Sequence, residues 1–267
     1  MAKQEKIGKI SKPYMRGTLV DRGLAGGALK FFGSMLLMIF VYFMSMIVSS
    51  VESHFLVVVI NVAILGTTWL IFWQSGMASG TDAVSQGEIM YQRQEKGRPV
   101  ADWERKLCYH PLKGYFVALL GALPLILCCA VFACIAQREM TTLGVLPKWV
   151  GAFEGRPEIG GGLSYYHQEA KLTLEAALRI GVRVAVMPWI SIVGTDNKDL
   201  LLLVERLSPV LMLIPVVVYG TGYMLGTSVR AAVHGNIAQG KKRLAKKQAK
   251  ERRARRQTEK RGTEQLN

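Results

Sequence analysis

Residues 230–267 read RAAVHGNIAQGKKRLAKKQAKERRARRQTEKRGTEQLN, and this stretch decides how the rest of the chain is arranged. It carries Arg230, Lys241, Lys242, Arg243, Lys246, Lys247, Lys250, Arg252, Arg253, Arg255, Arg256, Lys260 and Arg261 against Glu251, Glu259 and Glu264. Thirteen bases against three acids leave a surplus of ten within a formal net charge of +15 for the whole chain. The run Leu207 to Leu225 lies just ahead of it and is almost wholly apolar. Lys and Arg beside a membrane span hold to the cytoplasmic side, so this tail predicts an internal C terminus.

Working outward, the chain has 267 residues, half of them hydrophobic, with a mean hydropathy of +0.22. The apolar residues are gathered into runs of span length, about 20 residues for a hydrocarbon core of roughly 30 Å. The predicted class is therefore all-α, a polytopic membrane helical bundle. The leader, residues 1–30, holds Lys3, Lys6, Lys9, Lys12, Arg16, Arg22 and Lys30 against Glu5 and Asp21, and is placed inside by the same charge rule. No cleavable signal peptide is expected: the charged leader is long, the run behind it is span-length and no A-x-A site follows. Gly23 and Gly27 have G-x-x-x-G spacing, read here as a flexible entry to the first span.

Residues 31–73 are predicted as a transmembrane hairpin, Phe31 to Ser50 and Phe55 to Trp73, joined by a connection too short for anything but antiparallel neighbours. Trp69 and Trp73 are expected at the inner interface. Asn61 lies in mid-span and predicts a hydrogen-bonded contact to a neighbouring helix. Residues 74–114 form a polar stretch of mixed charge, predicted as a cytoplasmic loop with short helices. One would run from Thr81 to Lys96 and stop at Gly97 and Pro99, and a second would begin near Asp102.

The third span is residues 115–136, with a kink expected at Pro124. Cys128, Cys129 and Cys134 are read as small packing residues. Residues 137–206 are predicted as an outer region, turn-rich around Gly160 to Gly162 and with Leu143 to Val150 along the surface. Within it, Leu172 to Val193 is span-length but carries Glu175, Arg179 and Arg183, which with Lys171 form one charged stripe at four-residue spacing. Each arginine at the bilayer centre costs roughly 2.5–3.5 kcal/mol. Five crossings would also put the basic tail outside. The expectation is four spans, five only if Leu172 to Val193 crosses, with that segment lying in the outer interface or folding partway in and back. Residues 207–229 are the last span, with Gly222 and Gly226 as a helix-packing pair.

The usual signatures are missing: no G-x-x-x-x-G-K-[ST], no G-x-G-x-x-G ahead of a helix, no H-E-x-x-H and no G-x-S-x-G. Cys108 and His110 form a C-x-H pair without a second half, and no metal or other cofactor is expected. Glu52 with His54 and His167 with Glu169 are the nearest approach to acid–base pairs, and His234 is read as interfacial. Arg179 and Arg183 stand out as candidates for an anionic ligand or lipid headgroup. The tail stands out as a docking surface, through Lys241, Lys242, Arg243, Lys246, Lys247, Lys250, Arg252, Arg253, Arg255 and Arg256.

No motif specifies a family. In composition alone the tail resembles the basic tails of helical insertases that dock ribosomes. The expected function is non-catalytic: a subunit or scaffold of a larger assembly in a bacterial-type plasma membrane, both termini cytoplasmic. Expected partners are anionic lipid headgroups and other membrane subunits, with a ribosome or nucleic acid as a further occupant of the tail. The alternative is a small transporter or channel for an anionic solute, using Arg179 and Arg183.

Overall fold

The computed structural model describes residues 11–50, 53–137, 156, 158, 174–194 and 197–264, excepting the side chains of residues 49–50 and 253–264. Every regular element among them is helical: α1 (Leu24–Met44) with a 3-10 extension (Ser45–Ser50), α2 (His54–Glu95), α3 (Asp102–Leu107), α4 (Lys113–Ile135), α5 (Leu174–Ala185), α6 (Met187–Val193), α7 (Lys198–Met224) and α8 (Gly226–Glu264). Four helical segments are long and apolar enough to cross a membrane, those starting at Leu24, His54, Lys113 and Lys198; a fifth arises only if α5 and α6 count as one broken span. On α1 a single stripe is buried, Phe31, Met35, Met38 and Tyr42, while Leu36, Leu37, Phe40 and Phe43 are exposed. A helix apolar all round, with only one stripe packed on protein, is what a lipid surrounding suits.

The backbone contacts divide the chain into two units. The first joins Met1–Gly23, Trp73–Gly114 and Tyr219–Asn267; the second joins Leu24–Phe72 and Tyr115–Val218. Helices α2, α4 and α7 contribute residues to both.

In the first unit α2 and the end of α7 meet backbone to backbone. A Cβ on Gly222 would strike the carbonyl of Trp73, one on Gly226 the backbone of Gly80, one on Gly76 the carbonyl of Tyr219 and one on Gly80 the carbonyl of Tyr223. Two G-x-x-x-G pairs therefore interlock, Gly222 and Gly226 as the sequence suggests and Gly76 and Gly80 facing them. Tyr219 seals the seam by donating to Ser79 Oγ at 3.1 Å. Around it, Tyr109 stacks on Tyr223 with ring centroids 5.4 Å apart, and Tyr14 meets Tyr109 edge-on at 6.0 Å. The leader from Ser11 to Val20 has no regular secondary structure but is tied down, because the amides of Met15 and Gly17 donate to the carbonyls of Gly87 and Tyr109. Asp21 pairs with Lys113, whose ammonium also donates to the Lys106 and Leu107 carbonyls at 3.3 Å.

Two expectations are corrected in this region. No helix begins at Thr81: α2 runs unbroken for 42 residues, about 63 Å at 1.5 Å per residue, from the apolar run into the polar stretch. Polarity changes at Gln74, but the backbone has no reason to stop, since Gly76 and Gly80 pack rather than bend. The predicted stop is where expected. Gly97 takes φ +70°, and the bonds Gly97 N–H to Gln94 and Arg98 N–H to Arg93 close a Schellman motif ahead of Pro99. Secondly, the flexible entry at Gly23 to Gly27 is helix from Leu24 onward, with Gly27 close against Val117.

In the second unit α1 lies against α2 and α4. Tyr42 Oη and Thr68 Oγ1 are 3.1 Å apart, and a Cβ on Gly121 would crowd the Ala28 carbonyl at 2.5 Å. Helix α4 continues through Pro124. Asn61 is fully buried, but its amide donates to the Val57 carbonyl of its own helix at 2.8 Å instead of bridging to a neighbour. Cys129 is buried, whereas Cys128 and Cys134 are exposed rather than packed. The described part of Leu172 to Val193, residues 174–193, folds as α5 and α6 with an 83° bend between them, and both pack on α1. Trp189 of α6 meets Trp69 at 6.2 Å between centroids, so Trp69 has a ring partner inside this unit. The readings of Leu143 to Val150 and of Gly160 to Gly162 lie outside the described residues.

Candidate functional site

Two groups of ionisable side chains are assembled from distant parts of the chain. The first belongs to the first unit. Glu88, on the buried face of α2, sits between two residues of α8 one turn apart. Arg230 donates from Nε and Nη2 to Glu88 Oε2 at 3.1 and 3.0 Å, and His234 Nε2 is 2.7 Å from Oε1. Because Glu88 is a carboxylate, the imidazole is oriented with Nε2–H as donor. Both carboxylate oxygens are thereby occupied. These side chains border a cavity of about 290 Å³ that also receives Ser11, Lys12 and Tyr14 from the leader. The first turn of α8, with Thr227 and Ser228, forms another part of its wall.

Tyr109 lies beside this region and donates to the Met224 carbonyl at 3.2 Å. Burial, with Tyr14 as a lesser cause, pushes its phenol up from the ordinary value, so it serves as a neutral donor.

The second group belongs to the second unit. Glu205 of α7 is 2% exposed; Arg183 Nε donates to its Oε1 at 2.6 Å, and Arg179 Nε lies 3.9 Å from Oε2. Arg179 also donates to the Gln137 carbonyl at 3.0 Å and to Glu175 at 3.3 Å, with its guanidinium 5.6 Å from the Phe132 ring centroid. Arg206 donates to the Ala136 carbonyl at 3.3 Å. Two arginines thus bond to the carbonyls of the two residues that follow α4, beside its C-terminal end, a favourable place for positive charge.

Arg179 and Arg183 are therefore brought together by an acid, Glu205, that no local pattern singles out. Glu205 was assigned to the outer loop because the last span was placed from residue 207; α7 begins instead at Lys198. Glu88 stood among the mixed charges of the polar stretch, and His234 appeared interfacial, whereas it is nine-tenths buried. The available hint in both cases was arithmetic: a stripe of bases on one helix calls for a buried acid on another.

The tail is helical through to Glu264, and every residue from Lys241 to Arg252 is exposed, Leu244 included. Lys241, Lys242, Arg243, Lys246, Lys247, Lys250 and Arg252 therefore point out on all sides of α8. Arg253, Arg255 and Arg256 continue the helix, and their side chains lie outside those described. The Thr81 to Lys113 surface is half committed already, since Val84, Glu88 and Tyr109 are buried within the unit. Cys108 is buried with its sulfur 3.6 Å from the Glu104 carbonyl, and burial pushes its thiol up, away from the thiolate that a metal needs. Among the described residues no three His, Cys, Asp or Glu side chains converge. His54 lies at the start of α2; Glu52, His167 and Glu169 are outside the described residues. Comparison of the chain with protein-family models, with curated proteins and with solved structures yields no match, so its chemistry is read from this geometry alone.

Proposed function

We propose that the chain is a non-catalytic integral membrane protein of a bacterial-type plasma membrane, with four crossings and both termini cytoplasmic. It acts as a subunit or scaffold of a larger assembly. One observation carries the reading: from Lys241 to Arg252 the helix α8 is exposed on all sides and holds seven bases against one acid, with no face committed to the rest of the chain. A charged rod of this kind suits contact with an extended anionic surface, on a partner macromolecule or on lipid headgroups. Its failure to pack leaves it available.

The anion-transport alternative rests on Arg179 and Arg183. The carboxylate of Glu205 already occupies the place that an anionic solute would take, which favours the scaffold reading. Replacing both arginines by Gln should then leave anion flux across liposomes at background, as in the unaltered protein. A flux present in the unaltered protein and lost in this variant would overturn the choice.

The reading itself is tested by purifying the full chain in mild detergent beside a variant with the seven bases of Lys241 to Arg252 changed to Gln. Membrane subunits should co-purify with both and the anionic partner with the unaltered chain alone, in a salt-sensitive manner. Equal recovery of every partner by the two proteins would sink it.

A further inference from the structure

The cavity bordered by Glu88, Arg230 and His234 has features that the scaffold reading does not use. Its wall comes from three stretches far apart in sequence, the leader, α2 and α8. Its volume of about 290 Å³ lies at the small end of ligand pockets, which begin near 300 Å³, so it suits a headgroup-sized molecule rather than a nucleotide. The charge balance is decided by Glu88. This acid is 6% exposed and takes three hydrogen bonds from Arg230 and His234, so its charge is balanced within the cluster by Arg230. Arg230 spends Nε and one Nη2 proton on Glu88, and its Nη1 amine is left to serve as a donor, on a side chain 30% exposed. Lys12 adds an ammonium and Ser11 and Tyr14 add hydroxyls from the opposite segment. The hydroxyls of Thr227 and Ser228 are turned back to the Met224 and Leu225 carbonyls.

We infer that this cavity is a binding site for a phosphate ester, held by Lys12 and Arg230 with Glu88 as the residue that fixes Arg230 in place. Two sources share this chemistry, the headgroup of an anionic phospholipid and a small soluble phosphate ester. The inference is independent of the tail, since none of the bases from Lys241 onward borders the cavity.

The test uses the full chain in mild detergent and two probes, glycerol 1-phosphate by titration calorimetry and phosphatidylglycerol by native mass spectrometry, with phosphatidylcholine as control. One equivalent of one of the probes should bind saturably, and Lys12→Gln should weaken it about tenfold or more, as loss of a charged hydrogen bond does. Lys12 is exposed and pairs with no acid among the described residues, so Lys12→Gln should fold and keep the test valid where Arg230→Gln does not. Saturation by glycerol 1-phosphate identifies a soluble ester. Retention of one phosphatidylglycerol with no calorimetric signal identifies the lipid. The variant lacking the tail bases should bind as the unaltered protein does. Failure of both probes to bind, or binding unaffected by Lys12→Gln, or loss on removing the tail bases with Lys12 intact, would each overturn the assignment.

Discussion

Glu88 and Glu205 are both buried carboxylates on long helices, and each is engaged by two bases of one other helix four residues apart. Their surroundings differ. Around Glu205, Arg179 also bonds to the Gln137 carbonyl just past α4 and lies over the Phe132 ring, so the cluster fastens helices to one another. Around Glu88 one of the bases, Arg230, also borders a cavity and is 30% exposed, so the same arrangement sets a cation at a cavity wall. The same pairing of charges fastens in one place and presents in the other, and what distinguishes them is whether the outer side of the base is occupied.

This contrast is broken most sharply by removing the acids. Glu205→Ala leaves Arg183 and Arg179 without their buried counter-charge and should cost about 3–5 kcal/mol in reversible unfolding in detergent. Glu88→Ala should cost less, about 2–3 kcal/mol, because Arg230 can reach water. Equal losses would remove the distinction between the two clusters.

The next effect sharpens the role of close packing. A Cβ at Gly76 or Gly80 meets the carbonyl of Tyr219 or Tyr223, and Gly→Ala at either should destabilise by roughly 1–3 kcal/mol. At Gly66, on the same helix α2, a Cβ meets nothing within 4 Å, and Gly66→Ala should be neutral or stabilising by about 0.5–1 kcal/mol. Similar values at Gly66 and Gly80 would mean that the interlocked glycines do not set the approach of the helices.

Smaller still is the tail. Replacing the bases from Lys241 to Arg252 by Gln should leave unfolding within about 0.5 kcal/mol, since these residues are exposed, while abolishing salt-dependent partner binding. The smallest effect belongs to the exposed pair Arg93 and Glu104, 3.3 Å apart, where Arg93→Ala should cost below about 1 kcal/mol.

What could be read in advance follows from the range of the interactions involved. The four apolar runs, the stop at Gly97 and Pro99 and the packing pair Gly222 and Gly226 are local patterns, and each has its counterpart in the structure. The length of α2 was hidden because hydropathy changes at Gln74 while helix propensity does not. Gly76 and Gly80 lie in the polar stretch, and only their partners on α7 and α8 show that they pack. The two acid–base clusters were not legible: Glu88 is 142 residues from Arg230 and 146 from His234, and nothing next to any of the three announces the others. Asn61 shows the reverse error. A buried amide was expected to reach across to another helix, and a carbonyl four residues back was nearer.

The leader has a consequence for the order in which the protein comes into being. Residues 11–23 leave the ribosome before their partners, for Met15 and Gly17 bond to Gly87 and Tyr109, and the ring stacked on Tyr109 belongs to Tyr223. At about 5–20 residues per second of synthesis, Tyr223 emerges on the order of ten seconds after Tyr109. During that interval the segment from Ser11 to Gly23 has only part of its seat, which Tyr223 completes.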